Sequence, residues 1–296
     1  IKNYSISNDG KWITYALEKN SISDPIIKLS NFEGTEVLTY NRGKNPKFSF
    51  NSNHFFFNIQ PAIHEVNQLK RIKAKEEDFP IDSLGIYEIH TKKFSKISHL
   101  QSYKIPEKWS DWLIYQHSMP QDTGLKKLKK PSKETGYELI IQNLRVDKQF
   151  KYPFVKEYNL SQRNGKIAFN STGNDTDFQP GVYVFDTQKQ SLKSIYLSKG
   201  IFKSLKWDEA GRYLSFISDL DTAKTLNRNF NLHLWSIGSD SAETILTVHD
   251  EYLEKTYLVS EHTPLEFSKN GSLLYFGKSL PVLEADTSLL EHEIVK

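Results

Sequence analysis

Ser204-Leu-Lys-Trp-Asp-Glu-Ala-Gly-Arg-Tyr-Leu-Ser-Phe216 sets two short apolar stretches on either side of a tight polar turn. The same unit reads as Tyr4-Ser-Ile-Ser-Asn-Asp-Gly-Lys-Trp-Ile-Thr-Tyr15 and as Pro46-Lys-Phe-Ser-Phe-Asn-Ser-Asn-His-Phe-Phe-Phe57. It returns as Glu157-Tyr-Asn-Leu-Ser-Gln-Arg-Asn-Gly-Lys-Ile-Ala-Phe169 and Pro264-Leu-Glu-Phe-Ser-Lys-Asn-Gly-Ser-Leu-Leu-Tyr-Phe276. Where the series needs one more copy, Tyr103-Lys-Ile-Pro-Glu-Lys-Trp-Ser-Asp-Trp-Leu-Ile-Tyr115 supplies a degenerate one. Asn-Gly and Asp-Gly turns allow the positive φ that tight hairpins require, and the flanking aromatics alternate with the period of a strand. Self-similarity at a period of roughly 40–50 residues is the signature of a repeat architecture. The turns fall near Gly10, Asn53, Asp111, Gly165, Gly211 and Gly271.

Between these hairpins lies a second kind, beginning at Ile26, Gly85, Glu138, Gly181 and Phe230. Two hairpins make four antiparallel strands, which is one blade of a β-propeller. Six first hairpins and five second ones predict an all-β propeller, about five and a half blades long, as a single domain over residues 1–296. The expected blades are 1–42, 43–97, 98–152, 153–199 and 200–248, with a partial blade at 249–296. Excess residues fall mostly between second and third strands, at 58–83, 116–136, 171–180, 218–229 and 277–293. That connection leaves every blade at the same end, so the insertions are expected to decorate one face, where binding usually resides. In the partial blade only Glu293-Ile-Val-Lys296 of the tail reads as strand, so an incomplete, open ring with an edge near Leu273–Phe276 is expected.

Composition agrees with a sheet protein. Phe 18, Tyr 15 and Trp 5 stand against a single Met, and aromatic side chains suit a half-buried pleated surface. With 38% hydrophobic and 25% charged residues the chain can bury a core. A formal charge of +3 points to no polyanionic partner such as nucleic acid, and no apolar run is long enough for a membrane-spanning helix. Cys 0 excludes disulfides and a thiol nucleophile. Ile1 is not an initiator Met, as expected of a chain from which an upstream segment such as a signal peptide has been removed.

Catalytic motifs are missing. A nucleophile elbow needs Gly-x-Ser-x-Gly, and no two of the 14 Gly are four apart. None of the 9 His forms His-Glu-x-x-His, and there is no Gly-rich phosphate loop, so no cofactor is expected. Weaker constellations each have a plain structural reading beside the functional one. Leu69-Lys-Arg-Ile-Lys-Ala-Lys-Glu-Glu-Asp78 reads as a helical turn or two. Its Glu76 and Glu77 could bind a substrate ammonium, although four basic neighbours favour a solvated charged segment. Asp175 and Asp177 have a calcium-loop spacing but lack the later bidentate Glu. Lys126-Lys-Leu-Lys-Lys130 reads as a solvated loop, without the interleaved aromatics on which nucleic-acid bases stack. Trp207-Asp208 is a WD-like dipeptide in a first hairpin, and Trp109, Trp112, Trp207 and Trp235 read as packing between blades.

The Ser-x-Asp-Gly-Lys turn at Ser7–Lys11, loosely repeated at Ser268–Ser272, resembles the blade signature of propellers attached to prolyl oligopeptidase-family serine peptidases. Lys73-Ala-Lys-Glu-Glu-Asp-Phe-Pro-Ile-Asp-Ser-Leu-Gly-Ile-Tyr-Glu-Ile89 and Pro106–Tyr115 are similar to large secreted bacterial members of that family. The resemblance covers essentially the whole chain. It implies a non-catalytic propeller that gates or docks peptide substrate, beside a C-terminal α/β-hydrolase domain of the same polypeptide carrying the triad, in an extracytoplasmic location. No triad residue falls within this chain. In dipeptidyl-peptidase relatives a Glu-Glu pair recognises the substrate amino terminus. Glu76-Glu77 is the pair this chain offers, outside any matched motif, and specificity stays open. The rival reading is a free-standing envelope propeller that binds a protein or glycan. A downstream Gly-x-Ser-x-Gly followed by Asp and His in the full reading frame distinguishes the two. Residues 1–296 alone are expected to show no turnover of chromogenic peptides or esters. Covalent labelling by a serine-directed fluorophosphonate, with loss of turnover, overturns that expectation.

Overall fold

The computed structural model describes residues 2–18, 23–118, 131–174, 176–221, 223, 225–253 and 256–283. It is an all-β propeller chain of successive four-stranded antiparallel blades, with one short α-helix and one 3-10 turn among the described residues. The first sheet is β1 (Lys2–Ile6), β2 (Trp12–Leu17), β3 (Ile26–Asn31) and β4 (Glu36–Asn41), in that order. The second is β5 (Gly43–Phe48), β6 (His54–Ile59), β7 (Ser83–Glu88) and β8 (Lys93–Ile97). The third is β9 (Leu100–Lys104), β10 (Trp112–His117), β11 (Tyr137–Asn143) and β12 (Lys148–Leu160). Strand β12 is one continuous strand of 13 residues. Its first half pairs with β11, and beyond it come β13 (Lys166–Ser171), β14 (Gly181–Asp186) and β15 (Ser191–Leu197). A further sheet holds β16 (Ile201–Trp207), β17 (Tyr213–Asp219), β18 (Asn231–Ser236) and β19 (Glu243–Leu246).

The last stretch departs from the sequence reading. β21 (Glu266–Phe267) and β22 (Leu274–Tyr275) form the expected hairpin with only two residue pairs. The tail is more than loop: β23 (Lys278–Ser279) pairs with β20 (Leu258–Val259), because Ser260 N–H donates to the Gly277 carbonyl and brings the two segments side by side. Leu273 and Tyr275 are each 56% exposed. Glu293–Lys296 lies outside the described residues.

The chain falls into two compact units, residues 1–156 with 162–165, and residues 157–161 with 166–296. In the first unit, Phe55 and Phe57 on β6 join Ile27 and Leu29 on β3 in one apolar cluster. Phe56, between them, points the other way and joins Leu113 and Tyr115 on β10 and Ile140 on β11. Successive residues of a strand face opposite sides, so a middle strand is buried on both faces only if sheets pack on each side of it. In the second unit Trp207, Leu214, Phe216 and Trp235 pack against Ala168, Val182 and Val184. Ile217, Phe230 and Leu232 cluster with Leu253, Val259 and Leu265. Trp112, Trp207 and Trp235 are buried, and the last two meet edge-on at 6.1 Å.

Two devices recur at the blade scale. The first locks the tight turn. Ser7 Oγ donates to Asp9 Oδ1 while accepting the Trp12 N–H, and Ser49 with Asn51 and His54, and Ser268 with Asn270 and Leu273, repeat the arrangement. Asp208 does the same with its carboxylate, accepting the N–H groups of Arg212 and Tyr213. Neighbouring turns are tied: Asn8 Nδ2 donates to the Phe50 carbonyl, Asn51 Nδ2 to Asp111 Oδ1, and Arg212 to the Asn270 carbonyl. The second device is a β-bulge, in the first strand at β1, β5 and β16 and in β12 where it pairs with β11. Asn3, Asn45, Phe154 and Ser204 have φ of 51°, 52°, 49° and 60°, and at each the pairing register shifts. A bulge bends the strand, raises its twist and re-aims the adjoining side chains.

Gly85 on β7 faces the Phe57 ring, and a Cβ there would sit 2.7 Å from its Cζ. With Phe57 wholly buried the ring has no room to retreat. Gly85→Ala is expected to destabilise the first unit by about 1–3 kcal/mol, the usual cost of overpacking a core. The urea midpoint measures it, and an unchanged midpoint contradicts this packing.

Candidate functional site

Among the described residues, the insertion with the most regular structure is the one between β6 and β7. Helix α1 (Ile63–Arg71) buries no residue fully, but Ile63, Val66 and Leu69 are half-buried along one stripe. Its N-cap, Ala62, has no side chain to offer. Asp24, from the β2–β3 loop, supplies the missing acceptor by taking the Ile63 N–H at 2.9 Å. Glu65 in the first turn and Lys70 and Arg71 in the last complement the helix dipole. A cleft of about 260 Å³ opens there, lined by Glu18, Asp24, Lys44, Gln60, Ile63 and Val66. Glu18 and Lys44 form an ion pair at 3.6 Å. The cleft therefore presents both signs of charge, a carboxamide and an apolar wall.

The expected helix over Leu69–Asp78 is displaced. The α-helix lies earlier, and Lys73 enters the left-handed region at φ 51°, which ends it. Only a single 3-10 turn follows at Glu76–Asp78. Glu76 is exposed, 3.7 Å from the equally solvated Lys133. Glu77 occupies the middle position of the same turn.

Asp175 lies outside the described residues, as does Lys126–Lys130. The Asp177 carboxylate accepts from Asn174 Nδ2 at 2.6 Å and from Thr176 Oγ1 at 2.8 Å, and these hydrogen bonds hold its pKa below the ordinary value. Asn174 Oδ1 in turn accepts the N–H groups of Thr176 and Phe178. The visible work of Asp177 is to close a loop. Among the described residues no three His, Asp or Glu side chains gather as metal ligands would.

One polar cluster has no signal in the sequence. His233 on β18 is fully buried between Phe216, stacked at 4.8 Å, and Tyr196 at 4.6 Å. Ser218 Oγ lies 2.7 Å from its Nε2, and Thr244 Oγ1 lies 3.2 Å from its Nδ1. A hydroxyl beside an imidazole is the arrangement that activates a nucleophile. Ser218 and His233 are both 0% exposed, however, so no substrate reaches them and the pair serves the core. A lone His among apolar residues carries no pattern that announces such a partner.

No family model matches the chain, and no curated protein matches it. Solved structures do. The β-propeller domain of the Trilobed protease from Pyrococcus furiosus is 14% identical with a TM-score of 0.44, over 93% of this chain and 78% of that one. TolB from Acinetobacter baumannii is 11% identical with a TM-score of 0.39, over 90% and 57% of the respective chains. Pyrococcus horikoshii acylaminoacyl peptidase is 11% identical with a TM-score of 0.42, over 84% of this chain and 39% of that one. The chain thus spans well under two thirds of the last two. Likenesses of this degree bring no residue roles and no activity across.

Burial pushes His233 down to about 4 from its ordinary 6.5. A group whose pKa is depressed by folding contributes stability that is present above the unfolded value and lost as pH falls through the folded one. Acidification from pH 6.5 to 4 is therefore expected to remove on the order of 2–3 kcal/mol through this residue. His233→Gln should show a shallower fall in urea midpoint over that range. An identical slope in both proteins contradicts the assignment.

Proposed function

We propose that this chain is the non-catalytic propeller of a prolyl oligopeptidase-like peptidase. In that reading it docks an α/β-hydrolase domain of the same polypeptide and receives peptide substrate at the end of the blades that carries the long connections. The observation that carries the reading is the β6–β7 insertion, folded as α1 and pinned by Asp24 beside a cleft of mixed character. Carboxylates at Glu18 and Asp24 suit a substrate ammonium, Gln60 suits a backbone amide, and Ile63 with Val66 suits an apolar side chain. Glu76 and Glu77 sit on the same insertion, which supports assigning contact with the substrate amino terminus to this region. The sequence resemblance supports the peptidase context, and an extracytoplasmic location belongs with it. Among the described residues no helix is long and apolar enough to cross a membrane.

The test is titration of the chain with Ala-Pro-Phe amide, a peptide with a free amine and no carboxylate, against its N-acetylated form. The free amine is expected to bind at least tenfold tighter, and Asp24→Asn or the Glu76→Gln, Glu77→Gln double variant to remove most of that preference. Equal binding of the two peptides overturns the reading.

A further inference from the structure

A second cavity, of about 390 Å³, lies in the first unit. Its walls come from four elements. Asn3 and Tyr4 stand on β1, Asn45 and Lys47 on β5, Asn58 on β6 and Tyr103 on β9. Asn3 and Asn45 are the bulge residues themselves, so the left-handed turn that breaks the register also sets two carboxamides at the same cavity. Bulges are enriched beside functional sites because they re-aim side chains in this way.

The chemistry is one-sided. None of the described lining residues is acidic. Lys47 stands with its ammonium 5.6 Å from the centre of the Tyr103 ring, and among the described residues no carboxylate pairs with it. Asn58 Nδ2 donates to Asp82 Oδ2 at 3.2 Å, which leaves the Asn58 carbonyl oxygen as an acceptor. The Tyr103 hydroxyl is buried without a hydrogen-bond partner, and burial raises it to about 12, so it remains a protonated donor. A buried polar group without a partner costs about 1–3 kcal/mol, and such groups often mark a ligand or ion.

We propose that this cavity binds a small monocarboxylate with an apolar body, of the size of an N-acyl amino acid. One unpaired ammonium balances a single negative charge. A phosphate group at about −1.5 to −2 would leave excess charge among neutral carboxamides. Tyr4 and Tyr103 offer ring surface to the apolar part, and the volume falls within the roughly 300–1,000 Å³ of small-molecule sites. The site shares no lining residue with the α1 cleft and takes a ligand of opposite charge.

The probe is hippurate, which has no amine and so does not report on the α1 cleft, with hippuramide and inorganic phosphate as comparisons. Calorimetric titration is expected to show hippurate binding at least tenfold tighter than either. Lys47→Gln removes an exposed charge without disturbing the core and should weaken hippurate at least tenfold. Asn45→Gly keeps the left-handed backbone, which Gly adopts freely, while deleting the carboxamide, and should weaken hippurate severalfold. Matched urea midpoints confirm that both variants fold. Equal affinity for hippurate and hippuramide, no binding of hippurate, tighter binding of phosphate, or an unchanged affinity in Lys47→Gln each overturns the proposal.

Discussion

Burial of the second strand on both faces, in the four blades built on β6, β10, β13 and β17, is the constraint on which the rest of this structure depends. In β6, Phe55, Phe56 and Phe57 are consecutive and all fully buried, although a strand turns alternate residues to opposite sides. Leu113 and Ile114 in β10, Ile167, Ala168 and Phe169 in β13, and Phe216 and Ile217 in β17 repeat the condition. An isolated four-stranded sheet cannot meet it, because one of its faces would remain wet. Each blade therefore needs a neighbour, and stability arises between sheets at least as much as within them. Each fully buried large side chain contributes roughly 1.5–3 kcal/mol of transfer free energy, so a run of three phenylalanines outweighs any single polar contact on the surface.

The polar devices do a different task. Ser and Asp side chains at the tight turns satisfy N–H groups that the hairpin leaves unpaired, and Asn8, Asn51 and Arg212 carry that satisfaction across to the next turn. Each such bond contributes about 1 kcal/mol net, too little to assemble sheets but enough to fix which turn lies beside which. The bulges act on direction rather than energy. A residue held at positive φ costs on the order of 1–2 kcal/mol unless it is Gly or Asn. Asn occupies two of the four bulges, and Phe154 and Ser204 hold positive φ in the other two.

The two cavities of the first unit follow from this division. The first strands β1 and β5 carry bulges and bring their carboxamides beside one lysine. The connections between second and third strands are free of ladder hydrogen bonds and can grow into a helix without disturbing the sheet. Neighbouring residues of one hairpin, Lys44 and Gln60 on one cavity and Asn45 and Asn58 on the other, thus serve sites of different chemistry, acid-lined and mixed in one, cationic and donor-rich in the other.

The repeat of aromatic-flanked Asn-Gly and Asp-Gly turns was enough to establish hairpins, their alternation and the all-β class, because turn chemistry and period-two patterning are local. The missing elbow and missing Cys were likewise legible, since such motifs are contiguous. Glu76 and Glu77 were visible as charges, but that they follow a helix broken at Lys73 depended on where α1 found its cap. That cap is Asp24, 39 residues earlier. The pairing of Lys278–Ser279 with Leu258–Val259, the partnering of His233 by Ser218 and Thr244, and the convergence of Asn3, Asn45, Lys47 and Tyr103 on one cavity were likewise beyond local reading. By itself the sequence determined which segments are strands and where they turn. Only the tertiary structure decided which side chains share a pocket, because residues brought together by stacked sheets are about one blade apart in the chain and leave no short-range pattern.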